Sequence, residues 1–146
     1  MSRPTWDEQF IEVAKITARR STCDRAAVGC VIAVDSRIVT TGYNGALAGA
    51  AHCGEAGHLL IDNHCLRAVH AEANAIADAA RRGVSVLCGT CYCTHLPCPY
   101  CTKLLLAAGV RRVVYVEKYG NDGVILALCK EVGVKMVGWE EMTTSR

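Results

Sequence analysis

Cysteine narrows what this chain can become more than any other residue. Ten of its 146 residues are cysteine, at positions 23, 30, 53, 65, 88, 91, 93, 98, 101 and 129. Five histidines, at 52, 58, 64, 70 and 95, fall mostly among them. In a secreted mini-protein such a count would mean disulfide staples. A chain of this length is close to one domain and can bury a core without staples. Here the thiols therefore point to metal or catalysis.

The remaining composition closes off other classes. Hydrophobic residues make up 51% and charged residues 21%, which argues against a disordered chain. Sixteen basic against fourteen acidic side chains leave a net +2, too little and too dispersed for a dedicated duplex-DNA binder. No apolar run approaches the roughly 18 residues of a membrane span. The N-terminal residues lack the apolar core of a signal peptide, so a cytoplasmic location is expected. No repeat or linker interrupts the chain, and residues 1–146 are read as one domain.

Thr5-Trp-Asp-Glu8 has the form of a capping box, predicting a helix with Phe10, Val13, Ala14 and Ile16–Thr17 near its apolar stripe, ending near Ser21. Val28–Val34 and Arg37–Gly42 read as strands joined at Asp35-Ser36. Residues 43–66 hold no regular pattern, and a stretch that long is usually functional. Ala68–Arg82 reads as a helix stopped by Gly83. A strand over Gly89–Thr94, a helix over Pro97–Ala108 with Gly109 at its C-cap, a strand over Arg112–Val116, a helix over Asp122–Val132 and a strand over Lys135–Val137 follow. Residues 139–146 read as a polar tail. The sum closes most naturally as an α/β sandwich around a five-stranded mixed sheet.

Two motifs carry chemistry, and each opens a helix. His70-Ala-Glu72 starts one; Pro97-Cys98-Pro-Tyr-Cys101 starts the next. Two thiols at a helix start are favoured as thiolates by the amide N–H groups and the helix dipole. Adding His70 gives three protein ligands, which leaves the fourth place of a tetrahedral zinc open, the pattern of a catalytic site. Glu72 need not ligate. It can take a proton from activated water and pass it to a ring nitrogen and a leaving amine. H-x-E followed by P-C-x-x-C is the pattern of zinc-dependent deaminases.

On these motifs the chain resembles the cytidine deaminase superfamily, and within it the deoxycytidylate (dCMP) deaminase family, including its late-competence bacterial branch. Ser21-Thr-Cys-Asp-Arg25, Thr41-Gly-Tyr-Asn-Gly45, His52-Cys53, His64-Cys65-x-Arg67 and Val114-Tyr-x-Glu-x-Tyr119 narrow the likeness. It implies a cytidine deaminase-like three-layer α/β/α sandwich and conversion of dCMP to dUMP and ammonia in the supply of dTTP precursors. It further implies catalytic zinc on His70, Cys98 and Cys101, with Glu72 as proton shuttle. Asn44 would meet the nucleotide, Tyr119 would lie near its phosphate, and Arg81 would occupy a regulatory position. Relatives are commonly oligomers, often hexamers, regulated by dCTP and dTTP with Mg²⁺. The proline usual after the GYNG segment is absent, and Leu47 stands near its place.

Bland readings stand beside these. Asn44-Gly45 is also a common hairpin turn. Arg81 and Arg82 suit a solvated helix end. Cys30, Cys88 and Cys129 read as small buried hydrophobes, and Cys91 and Cys93 share one strand face. His95 reads as a loop histidine or a pocket wall.

Cys23, His52, Cys53, His58, His64 and Cys65 could build a second, closed structural zinc site. The resemblance favours Cys23, Cys53, His64 and Cys65, with His58 in reserve. Other cytosine compounds (a nucleoside, a free base, a modified dCMP, a tRNA base) remain alternative substrates. A zinc-stabilised accessory module without catalysis is the rival of another class.

Overall fold

A computed structural model describes residues 2–118, 120 and 122–145. Helix α1 (Trp6–Ala18) opens on the expected capping box: Thr5 Oγ1 accepts from Glu8 N–H and the Glu8 carboxylate accepts from Thr5 N–H. Strands β1 (Gly29–Val34) and β2 (Arg37–Tyr43) form an antiparallel hairpin. Its Asp35 and Ser36 both have positive φ, 50° and 59°, as a tight turn matching strand twist requires.

Between β2 and the next long helix, the segment without regular pattern is tied down by small pieces. Strand β3 (Gly45–Ala46) pairs β6 (Ala68–Val69), closing the base of the insertion. Within it lie α2 (Cys53–Ala56) and a second tight hairpin of β4 (Leu60–Ile61) and β5 (His64–Cys65). These elements are too short to leave a periodic signal.

Helix α3 (Ala71–Arg82) starts three residues later than expected because His70 is its N-cap; Gly83 ends it at φ 66°. Then come β7 (Thr90–His95), α4 (Pro99–Ala107), β8 (Arg112–Glu117), α5 (Gly123–Glu131) and β9 (Lys135–Gly138). The α4 C-cap is Ala108, with Gly109 one residue beyond at φ 93°. The five long strands form one sheet in the order β2-β1-β7-β8-β9. It is mixed: β1 pairs β2 and β7 antiparallel, while β7, β8 and β9 run parallel. Parallel neighbours need a crossover, and α4 and α5 supply it.

Alternation along the strands divides the core into two layers. Cys30, Ile32, Cys91, Cys93 and Val113 face Ala71, Ala75 and Ala79 of α3 and Leu105 of α4. Val31, Ala33, Tyr92 and Val114 face Phe10, Ile11 and Ala14 of α1. The result is the three-layer α/β/α sandwich. Three expectations need correction. Residues 139–144 are not tail but a helix, α6 (Trp139–Thr144), whose Trp139 and Met142, one turn apart, pack onto the α1 layer. Ile16 is 62% exposed, and Ile11 and Ala18 take up the buried stripe instead. Cys88 is exposed in a turn at φ 60°, where its N–H is held by the Gly109 carbonyl, so it is not a core residue.

Helix α3 sits unusually close to β2. Thr40 Oγ1 donates to the Ala75 carbonyl at 2.8 Å and to Asp78 at 2.9 Å; Asn74 Nδ2 donates to the Tyr43 carbonyl at 2.8 Å. Arg82 reaches the Val39 carbonyl at 2.7 Å. The approach is permitted by the missing side chain of Gly42, where a β carbon would run into the Ala71 carbonyl and Ala75 N–H. Replacing Gly42 by Ala should therefore cost about 3 kcal/mol, since backbone cannot yield as a side chain does. Gly54, which has open space around it, should tolerate Ala within about 0.5 kcal/mol in the same urea-unfolding comparison.

Candidate metal and active site

His70 and Cys98 are both N-caps, the last extended residues before α3 and α4. Each thereby stands at a helix mouth rather than along a helix face. Cys98 follows the end of β7, so the site lies beyond the carboxyl end of a sheet strand, the usual ligand crevice of open α/β sheets. Pro99 occupies the first helical position, where a missing N–H costs nothing.

His70 Nδ1 lies 3.6 Å from Cys98 Sγ and 3.5 Å from Cys101 Sγ. Tetrahedral zinc, with nitrogen about 2.0 Å and sulfur about 2.3 Å away, sets such ligand atoms about 3.5 Å apart. The donor set and its spacing therefore fit zinc. The Cys98 thiol is held well down, to about 4, by the Cys101 thiol, the His70 ring and the Cys101 N–H, against the opposing effect of burial. The Cys101 thiol is pushed up by its Cys98 partner and by burial.

Glu72, in the first turn of α3, is 4% exposed. Burial, with the neighbouring Cys30 thiol, pushes its carboxyl up to about 7. His70, Glu72 and Cys98 line one cavity of about 430 Å³ together with Cys23, Arg25, Ala26, Val28 and Asn44.

Asn44 lines that cavity and is not in a hairpin turn, since β2 ends before it and Gly45 begins another pairing. Its amide is largely committed to the loop before β1. Oδ1 accepts from Val28 N–H at 2.8 Å, and Nδ2 donates to the Ala26 carbonyl at 2.7 Å. One N–H of the amide is left for a ligand. Arg81 is 79% exposed and pairs with Asp78 at 3.2 Å. It sits about 16 Å along the helix from His70, at 1.5 Å per residue, and is not among the cavity-lining residues. His95 ends β7, with Nδ1 2.9 Å from Thr94 Oγ1 and Nε2 3.3 Å from Glu117, and it walls an adjoining cavity of about 310 Å³. Tyr119 lies outside the described residues.

A second group of donors gathers in the insertion, with His58 where His64 was expected. Cys53, Cys65 and a ring nitrogen of His58 lie within 4.8 Å of one another. His64, preferred from sequence, is not part of that group; it precedes Cys65 in β5 and lines the active cavity instead. His58 Nε2 is fixed by Asp24 at 2.7 Å, and its Nδ1 is buried without a hydrogen-bond partner. Cys23 is close enough that its charge acts on Cys53. Burial works to raise the Cys65 thiol, but the His58 ring and backbone groups of Leu59, Arg67 and Ala68 outweigh it and bring it to about 6.

Two residues escaped the sequence reading. Arg25 is the guanidinium on the cavity wall; its signal was its place in the Ser21–Arg25 motif. Asp24 orients His58 from 34 positions away, and no local pattern announces such a pair.

Residues 4–117 match the family described as the cytidine and deoxycytidylate deaminase zinc-binding region. The chain belongs to this family. It is 42% identical over 130 residues to the deoxycytidylate deaminase of Mycobacterium phage D29, covering 81% of this chain and 99% of that one. It is 40% identical over 134 residues to ComE operon protein 2 of Bacillus subtilis, covering 92% of this chain and 71% of that one. Among solved structures it resembles the dCMP deaminase of cyanophage S-TIM5 in complex with dCMP and dUMP, with a TM-score of 0.80, 30% identity, and coverage of 94% of this chain and 99% of that one. Among the described residues no helix is long and apolar enough to cross a membrane.

Because Asn44 holds both the Val28 N–H and the Ala26 carbonyl, Asn44→Ala should orphan two partly buried backbone groups. Urea unfolding should record a loss of about 2 kcal/mol.

Proposed function

We propose that this chain is a zinc-dependent deaminase that hydrolyses dCMP to dUMP and ammonia, acting as one domain. The observation that carries it is the meeting, in one cavity, of a buried carboxyl at the start of α3 and a Cys₂His set at two helix mouths. The phage deoxycytidylate deaminase, matched over nearly its full length, supports the substrate.

His70, Cys98 and Cys101 would hold the zinc. Bound there, zinc acts as a Lewis acid that makes water nucleophilic near neutral pH. Glu72 Oε would accept a proton as water adds to C4 of the cytosine ring and give it to N3; it would then take the proton of the new C4 hydroxyl and pass it to the amine, so that the C4–N bond breaks as the C4 carbonyl forms. Its burial keeps bulk water from competing for that proton. Asn44, with one amide N–H free, suits the sugar or the base edge. Arg25 suits the 5′-phosphate, because a guanidinium offers a fork of donors matched to phosphate oxygens.

The second cluster would bind a structural zinc through Cys53, His58 and Cys65, with Cys23 as the fourth ligand. Support comes from the buried, unpartnered Nδ1 of His58 and the two thiols, Cys53 and Cys65, gathered about that ring. Cys23 and Cys65 also line the active cavity, so this ion would brace its wall. Self-association belongs to the same reading: Tyr100 and Leu104 on α4, and Val124 and Leu126 on α5, are exposed apolar side chains that a second copy would cover.

Zinc-loaded protein should consume dCMP far faster than CMP, deoxycytidine or dCTP, followed by ultraviolet absorbance. Glu72→Gln should keep its zinc and lose at least about 10²-fold in turnover. Arg25→Ala should raise KM for dCMP and leave the slow reaction of deoxycytidine unchanged. Consumption of none of the four by zinc-loaded protein would defeat the reading.

Metal analysis of the wild type should give two zinc ions per chain. His58→Ala should retain one and His64→Ala two. The reverse pattern would restore His64 as the ligand.

A further inference from the structure

Three more thiols meet under α3, apart from both clusters above. Cys30 is on β1; Cys91 and Cys93 are two apart on β7 and share its face toward α3. Cys30 lies directly opposite Cys93 in the strand register. The Cys91 sulfur is 3.4 Å from that of Cys30 and 3.4 Å from that of Cys93. All three sulfurs lie within 4.8 Å of one another, and all three residues are 0% exposed.

The surroundings decide what such a set can hold. Ile32, Ala71, Ala75, Leu105 and Val113 pack around it; the one ionisable neighbour that acts on it is the Glu72 carboxyl, whose negative charge disfavours any further anion there. Mutual hydrogen bonding and burial push the Cys30 and Cys93 thiols well up, while hydrogen bonds from those same two thiols bring Cys91 down to about 6, so the set holds one sulfur readily ionised and two that stay neutral. Zinc on three thiolates would leave one net negative charge there, and a cuprous ion two. An unpaired buried charge is expensive. A trivalent metalloid on three thiolates carries no net charge. Three sulfurs also complete its coordination, so it needs no water in a dry site.

We propose that Cys30, Cys91 and Cys93 form a capture site for a trivalent metalloid of the arsenite class. The exchange is balanced without electron transfer. Three As–O bonds of As(OH)₃ break, three As–S bonds form, and the three thiol protons leave with the three hydroxides as water. With no exposed sulfur, capture waits on opening of the core, so it is slow and is accelerated by mild urea. The adduct ties β1 to β7 directly beneath Ala71 and Ala75. An added atom there lifts the first turn of α3, which carries Glu72, and activity falls while the catalytic zinc stays in place.

The test uses the zinc-loaded full-length protein incubated with arsenite and freed of excess by gel filtration. X-ray absorption at the arsenic edge should show three sulfur neighbours and no oxygen. Zinc content should be unchanged, and after unfolding Cys30, Cys91 and Cys93 should be the thiols blocked against alkylation. Cys91→Ala, and separately Cys93→Ala, should reduce retained arsenic at least tenfold, whereas Cys65→Ala should not. The alkylation map of the wild type stands even if a core variant fails to fold. Two sulfurs plus an oxygen, loss of zinc in step with arsenic uptake, protection of Cys98 and Cys101 instead, or no retained arsenic in mild urea would each overturn the assignment.

Discussion

Everything at the site depends on how closely α3 can approach β2. The missing side chain of Gly42 lets the helix backbone rest on the strand, and Thr40, Asn74 and Arg82 fasten the two together by hydrogen bonds. A stripe of alanines, Ala71, Ala75 and Ala79, keeps the layer thin. That contact fixes the mouth of α3, and with it His70 and Glu72. The mouth of α4 is fixed separately, by the end of β7 and by Pro99. Two rigid helix starts converging on one point make a better metal site than any loop could, because neither ligand set has to be ordered when the ion binds.

The rest of the cavity is loop, and loops need other means of support. Asn44 ties the segment before β1 to the end of β2 through both ends of its amide. The insertion between β2 and α3 is closed at its base by the β3–β6 pairing and gathered at its far end around Cys53, His58 and Cys65. Arg25 on one loop and His64 and Cys65 on the other then face the same cavity. The two donor clusters are thus neighbours across one cavity without sharing a residue.

Which histidine joins the donors of the insertion depends on the turn between them. His58 and His64 are chemically equivalent in the sequence, and both lie near Cys65. The tight turn at Asp62-Asn63, with φ of 49° and 64°, folds the hairpin so that His64 pairs across to Ile61. Asp24, distant in sequence, selects His58 by holding its other ring nitrogen. The final helix was missed for a related reason: Trp139 and Met142 make one turn of apolar contact, a signal too brief to rise above a polar segment until the sheet edge is there to receive it.

The sequence by itself determined the chemistry and the architecture. His70-x-Glu72 and Cys98-x-x-Cys101 stand out as candidates because helix starts have local grammar: a cap, an early proline, a following apolar stripe. The alternation of strand and helix patterns dictates an α/β sandwich because each element must bury one face. Tertiary structure alone decided which histidine joins the second cluster, that Asn44 spends most of its amide on the loop it braces, that Arg25 faces the cavity, and that Cys30 meets Cys91 and Cys93 in a dry pocket. These depend on pairings between residues far apart in the chain. No local pattern encodes them; they exist only once the strands are in register and the helices have docked.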